Sequence, residues 1–212
     1  LTAKDIFTRQ TVAALASVVT EVVTTVQGPV SGDVPLTPIQ RWFFANHPEA
    51  PEHFNQSMVI ELAEDYDPEA LRKATAAIVE HHDALRMRYD HTDGQWHQHN
   101  ASTEAEILVG KEINLADGPL VKAVLVDRTT VLLSVHHLVV DGVSWRILLE
   151  DLNTAYEQAL RGEPIDLGPK TTSFREWSHR LAGHDFAADT RHWTAISEPA
   201  GIPVDGTGPN TV

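Results

Sequence analysis

The chain has 212 residues, 16 Lys and Arg against 30 Asp and Glu, and no cysteine. That is enough for one domain with a real core, or at most two small ones, and 42% hydrophobic with 22% charged residues excludes a disordered tail. The formal charge of −14 argues against nucleic acid and an anionic membrane surface as partners. The lack of cysteine excludes disulfides, a thiolate zinc site and a cysteine nucleophile, so any thiol chemistry must come from a partner. No apolar run approaches a bilayer span and no basic-then-apolar leader opens the chain, so the expected location is cytoplasmic.

From Asp5 to Val26, apolar residues at Val12, Leu15, Ala16, Val19, Val22, Val23 and Val26 have helical spacing, with Thr11 as a cap. Residues 28–35, rich in Gly and Pro, read as a linker, which sets residues 1–27 apart. Thr37-Pro38 then starts an aromatic-rich helix through Trp42, Phe43 and Phe44. Ser57 to Leu62 reads as a strand, and Asp67-Pro68-Glu69 opens a helix with Leu71, Ala74, Ile78, His82 and Leu85 on or near one face. Leu85, Met87 and Tyr89 alternate as a strand, and Thr92-Asp93-Gly94 turns it into Gln95 to Asn100.

Gly118-Pro119 precedes a segment from Leu120 to Asp127. Thr130 to Val140 then reads as one long strand, apolar on both faces as in a central strand covered on both sides. Trp145, Leu148, Leu149, Leu152, Tyr156 and Leu160 mark an amphipathic helix, and a last helix is expected from Ser173 to about Ile196. Residues 198–212 have no usable periodicity. The predicted fold is an α/β sandwich, a mixed sheet with helices packed on it.

Of twelve histidines, those in polar hairpins or near helix ends (His81, His82, His91, His97, His99) read as solvated or structural. His136-His137 differ, because they interrupt an apolar strand where an unpartnered imidazole costs free energy. Adjacent strand residues point to opposite faces, so the pair cannot grip one metal ion, and no metal site is expected. Two uses remain: an imidazole bonded to backbone in the core, or a neutral imidazole at a strand end that moves protons in a cavity. Asp141 follows four residues after His137, able to fix the loop or orient a histidine. Gly142 is expected to permit a sharp turn from strand to helix.

The string His136 to Gly142 resembles the HHxxxDG signature of the condensation-domain superfamily of nonribosomal peptide synthetases, which shares the chloramphenicol-acetyltransferase-like fold. Val143-Ser144-Trp145 after the glycine looks like the epimerization branch, whereas condensation domains usually carry tryptophan directly there. Pro38 to Phe43, His81 to Tyr89 and Thr172 to Trp177 are similar to further blocks of the family, in the expected order. The resemblance runs from about Leu36 to Trp193. A freestanding chloramphenicol-acetyltransferase-type chain has this size but carries the string near its C-terminus. Asp5-Ile6-Phe7 and Gln10 to Ala16 resemble the end of a peptidyl carrier domain whose phosphopantetheine-bearing serine would lie upstream.

The resemblance implies residues 1–27 as a carrier remnant, 28–35 as linker, 36–197 as the N-terminal lobe of an epimerization-type domain, and 198–212 as the start of a crossover. It implies inversion of the α-carbon of an aminoacyl or peptidyl thioester, with His137 as one acid/base residue. A second, a glutamate, would sit in a missing C-terminal lobe, so this chain alone is expected to turn over poorly. His136, Gly142 and Asp141 are implied as structural, with Asp141 paired to an arginine. Arg86 and Arg88 are the candidates, and Arg86 is preferred. Ser144 and Trp145 are possible tunnel residues, although Trp145 also fits a core position. No cofactor is expected in the chain itself: the thioester arm comes on a carrier domain, and neighbouring synthetase modules are the further partners. The alternatives are a condensation domain joining two carrier-bound substrates, and a non-catalytic lobe that docks carriers.

Overall fold

The computed structural model describes residues 3–19, 25–102 and 112–195. Expectations for Val22, Val23, the end of the last helix and residues 198–212 lie outside them. The N-terminal helix is two short ones, α1 (Ala3–Thr8) and α2 (Val12–Ala16). Thr11 does cap α2, its hydroxyl accepting from the Ala14 amide at 3.2 Å. The short strand β1 (Gly32–Val34) leads into α3 (Pro38–Asn46), which starts with a Thr37/Gln40 capping box and Pro38 in the first turn.

Strand β2 (Asn55–Glu61) and helix α4 (Pro68–His81) follow as expected, with the Asp67 carboxylate accepting from the Glu69 and Ala70 amides. Leu85 and Arg86 lie in a short 3-10 turn (Asp83–Arg86), not in a strand. The hairpin β3 (Met87–Thr92) and β4 (Gln95–Asn100) turns through Asp93 and Gly94, both at positive φ, the twist that matches a two-residue hairpin. Strands β5 (Val121–Leu125) and β6 (Thr130–His136) lead to α5 (Gly142–Leu160). The expected last helix is broken around Gly183 into α6 (Phe174–Ala182) and α7 (Ala187–Thr194).

The described strands form two three-stranded sheets, β1-β4-β3 and β2-β6-β5. Every described pairing is antiparallel, so the expected mixed sheet is replaced by two antiparallel ones. Helices α4 and α5 pack on one face of β2-β6-β5, and Ile78, Val79, Val121, Leu133, Val135, Trp145 and Leu148 share that core. A second core joins Phe43 and Phe44 of α3 to Met87 and Tyr89 of β3, with Leu115 and Leu120. Burying these side chains supplies the main free energy of the fold.

The expectation of a central strand covered on both sides is met in part. β6 is central, but its second face, with Ser134 beside Ser57 (Oγ to Oγ 2.7 Å), opens into a pocket of about 680 Å³ lined also by Tyr89, Trp96 and Lys122. The strand also stops at His136 rather than Val140. Residues 137–140 form the connection that sets up the site.

Candidate functional site

The two histidines at the end of β6 have different environments. His136 is fully buried. Its Nε2 lies 2.8 Å from the Pro51 carbonyl, which only accepts, so Nε2 carries the proton; Nδ1 then accepts from the Leu138 amide at 3.1 Å. Phe43 meets its ring edge-on. Burial holds the His136 imidazole below its ordinary pKa, partly opposed by the bond to Pro51, so it stays neutral. This is the structural use weighed for the pair.

His137 is exposed. Its amide donates to the Phe54 carbonyl at 2.9 Å, which continues the β2–β6 pairing one step beyond the strand. Phe54 stacks on its ring, with planes 8° apart and centroids 5.3 Å apart. Nδ1 lies 2.8 Å from the Val140 carbonyl, and Nε2 lies 3.2 Å from the side-chain nitrogen of Gln56. The ring also lines a pocket of about 280 Å³ walled by Ile39, Trp42, Phe43, Phe54, Leu138 and Phe174. His137 therefore stands beside an open, largely apolar-walled space, with both ring nitrogens hydrogen-bonded to neighbours.

Asp141 is the N-cap of α5. Its Oδ1 accepts from the Ser144 amide at 2.8 Å and from the Ser144 hydroxyl at 2.7 Å. The Ser144 hydroxyl, then its amide, holds the Asp141 carboxyl below the usual carboxylate range. The expected pairing of Asp141 with Arg86 is not formed. Arg86 is fully buried and donates to Asp83 Oδ1 at 2.5 Å and to the Val79 and Glu80 carbonyls at 2.5 and 2.8 Å. The physical reason is helix α4: its last carbonyls lack intrahelical partners, and the 3-10 turn brings the guanidinium directly onto them. Arg88 does not pair with Asp141 either; it donates to the Met87 carbonyl and packs against Gly118.

Gly142 also differs from expectation. It is the first residue of α5 with no positive φ, and a Cβ there would meet nothing within 4 Å, so the turn does not require glycine. Ser144 takes part in that cap through its amide and its hydroxyl. Trp145 is buried in the core under α5, and its indole N–H donates to Gln56 Oε1 at 2.9 Å. Gln56 is the residue that the sequence reading missed. It lies in β2 directly opposite Val135, on the face covered by the helices. A glutamine in that otherwise apolar row is the signal that marks it.

For metals, one described cluster has ligand atoms close enough to share an ion: His81, His82 and Asp151, all within 4.8 Å of one another. Asp151 lies ten residues along α5 from Asp141, about 15 Å at helical rise, so this cluster is not part of the His137 site. No described helix is long and apolar enough to cross a membrane.

A three-stranded antiparallel sheet backed by two helices, with a histidine pair at the end of its central strand and a capped helix following, is shared with solved domains of the chloramphenicol-acetyltransferase-like fold. The chain matches the condensation domain family over residues 30–109 and 102–205, and it belongs to that family. Its relatives are nonribosomal peptide synthetases. It is 40% identical to a linear gramicidin synthase of Brevibacillus parabrevis, over 96% of this chain and 5% of that protein. It is likewise 40% identical to tyrocidine synthase 1 of the same organism, over 82% of this chain and 19% of that protein.

Among solved structures it is similar to the epimerization domain of the third module of tyrocidine synthetase B. The identity is 36% and the TM-score 0.76, over 87% of this chain and 50% of that one. The X-domain from teicoplanin biosynthesis, at 18% identity and TM-score 0.67 over 88% of this chain and 48% of that one, shares the fold. The chain thus spans about half the length of the domains it resembles.

Proposed function

We propose that this chain is the N-terminal lobe of an epimerization domain of a nonribosomal peptide synthetase. It would invert the α-carbon, L to D, of an aminoacyl or peptidyl thioester carried on the phosphopantetheine arm of a peptidyl carrier domain. The arm and its thioester arrive as substrate on that partner. The observation that carries the proposal is His137, held at a strand end by the Val140 carbonyl and the Phe54 stack, with its ring open to the adjoining pocket. The 36% identity to a domain described as an epimerization domain supports this branch of the family.

The chemistry follows from the acidity of a proton beside a thioester carbonyl. His137 takes the α-proton, the Cα–H electron pair moves onto the carbonyl oxygen as an enolate, and a proton returns to the opposite face. By family resemblance the opposite-face group is a glutamate of the C-terminal lobe. The half-length coverage of the epimerization domain supports the expectation that this chain alone turns over poorly. Asp141 and Arg86 act as structural residues, Asp141 through the helix cap and Arg86 through the end of α4. Residues 1–27 are proposed as the end of a carrier domain, 28–35 as its linker, 36–197 as the lobe and 198–212 as the start of the crossover.

The match to the condensation family favours one second reading, amide formation between two carrier-bound substrates. The test is the product of the full domain given its loaded carrier. Release of the bound amino acid and chiral analysis should give a mixture of L and D enantiomers from an L-loaded carrier. A new peptide bond with retained configuration would establish the condensation reading instead.

A further inference from the structure

We infer that Gln56 is a further catalytic residue, whose side-chain amide donates a hydrogen bond to the carbonyl oxygen on which charge develops when His137 removes the α-proton. The inference rests on the epimerase reading above and deepens it.

The hydrogen-bond directions around Gln56 are forced. An indole N–H can only donate, so the Gln56 atom 2.9 Å from Trp145 Nε1 is the amide oxygen. That orientation turns the Gln56 NH₂ toward His137, 3.2 Å from Nε2. On the other side of the ring, the Val140 carbonyl can only accept, so Nδ1 carries the proton at 2.8 Å. The neutral ring then has its lone pair on Nε2, facing the Gln56 amide. Trp145, Gln56, His137 and Val140 form one relay in which each link pairs a donor with an acceptor. It presents an unprotonated Nε2 with a N–H donor alongside.

This pairing of a base with a donor suits enolate formation. Across a thioester the α-carbon and the carbonyl oxygen are about 2.4 Å apart by ordinary covalent geometry. A reacting carbon about 3 Å from Nε2 can therefore place its oxygen about 3 Å from a donor that itself sits 3.2 Å from Nε2. In the resting chain the amide occupies the Nε2 lone pair through a long hydrogen bond. When the Cα–H enters, the amide is released from Nε2 and reaches the oxygen beside it. The step balances: the Cα–H bond breaks, its proton forms Nε2–H, and its electron pair ends on the oxygen held by Gln56. Once His137 is protonated, Nε2–H and the Gln56 NH₂ are both donors and no longer pair, which leaves the amide to the oxyanion. Trp145 is the positioning residue that keeps the donor end facing His137 Nε2.

The test uses the full epimerization domain with an L-aminoacyl carrier and reads kcat and KM separately. Gln56→Met keeps the length and removes the donor. It should lower kcat by about a hundredfold or more with KM changed by less than about twofold, the behaviour of a lost oxyanion donor. Gln56→Glu keeps an acceptor for Trp145 but no donor at neutral pH, and should be at least as slow. Trp145→Phe frees the amide to rotate and should lower kcat by about tenfold. A second readout needs no turnover: ¹⁵N-histidine NMR of the folded 212-residue chain, with the His137 signal assigned by its loss in His137→Gln. It should show an unprotonated Nε2 in the parent and a mixture of tautomers in Trp145→Phe.

If His137→Gln abolishes inversion while Gln56→Met and Gln56→Glu retain the parent kcat, the donor role is wrong and the epimerase reading stands. If the parent domain yields no inversion, the epimerase reading fails and takes the inference with it. A protonated Nε2 in the resting chain would overturn the relay by itself.

Discussion

Replacing Arg86 by methionine tests the reassigned buried ion pair. The arginine side chain is wholly inaccessible, and Asp83, its partner, is 8% exposed. The substitution removes the donors of the Val79 and Glu80 carbonyls, which end α4 without intrahelical partners, and takes the closest cation from the Asp83 carboxylate. Lys170 remains at 3.0 and 3.2 Å from Asp83, and the Val30 amide at 3.1 Å, so the carboxylate is not stranded. Breaking a buried pair from one side costs about 3–5 kcal/mol, and the remaining partners place this case near 3 kcal/mol. With a urea slope of about 2 kcal/mol/M, the unfolding midpoint should fall by about 1.5 M.

A double-mutant cycle then assigns the partner. Arg86→Met with Asp83→Asn should show a coupling of about 1–3 kcal/mol, whereas Arg86→Met with Asp141→Asn should be additive within about 0.5 kcal/mol. Strong coupling to Asp141 and none to Asp83 would refute this packing.

Asp141→Ala should cost about 1 kcal/mol in urea unfolding, as loss of an N-cap does, while Asp141→Asn, which can still cap, should be close to neutral. Burial first, and in His82 also the neighbouring His81 and Lys170 against the opposing Asp151, holds the imidazoles of His136 and His82 below their ordinary value. The unfolded chain therefore binds more protons than the folded one as pH falls through about 6.5, and stability should drop from pH 7 to pH 5. His136→Gln should flatten that slope in urea titrations at the two pH values, and a slope unchanged by the substitution would contradict the assignment. At Gly118, φ is +72° and a Cβ would collide with the Arg88 guanidinium. Gly118→Ala should lower the melting temperature by several degrees, the size of a strained left-handed alanine plus a displaced side chain.

Much of the fold was legible because local rules and global packing agree. Asp93-Gly94 made the hairpin, Asp67-Pro68 opened α4, and the apolar row from Trp145 to Leu160 outlined α5. The family string also pointed to His136, His137 and Asp141. Less legible was what long-range geometry decides. Alternation placed Arg86 in a strand, but a 3-10 turn carries it into the end of α4, where helix carbonyls compete for it better than a distant aspartate. Gly142 looked like a conformational hinge and is an ordinary helical residue. The equivalence of the twin histidines ends where the strand does: one ring turns into the core and the next remains at the surface. Gln56 was overlooked because its partners, Trp145 and His137, lie more than eighty residues away.

The proposed inversion requires proton removal by His137, and the most direct measurement is solvent isotope entry. The full domain with an L-aminoacyl carrier in D₂O should place deuterium on the α-carbon of the D product, and His137→Gln, correctly folded by its circular dichroism and melting curve, should abolish that incorporation. Deuterium entering at the parental rate in the His137→Gln domain would contradict the role assigned to this histidine.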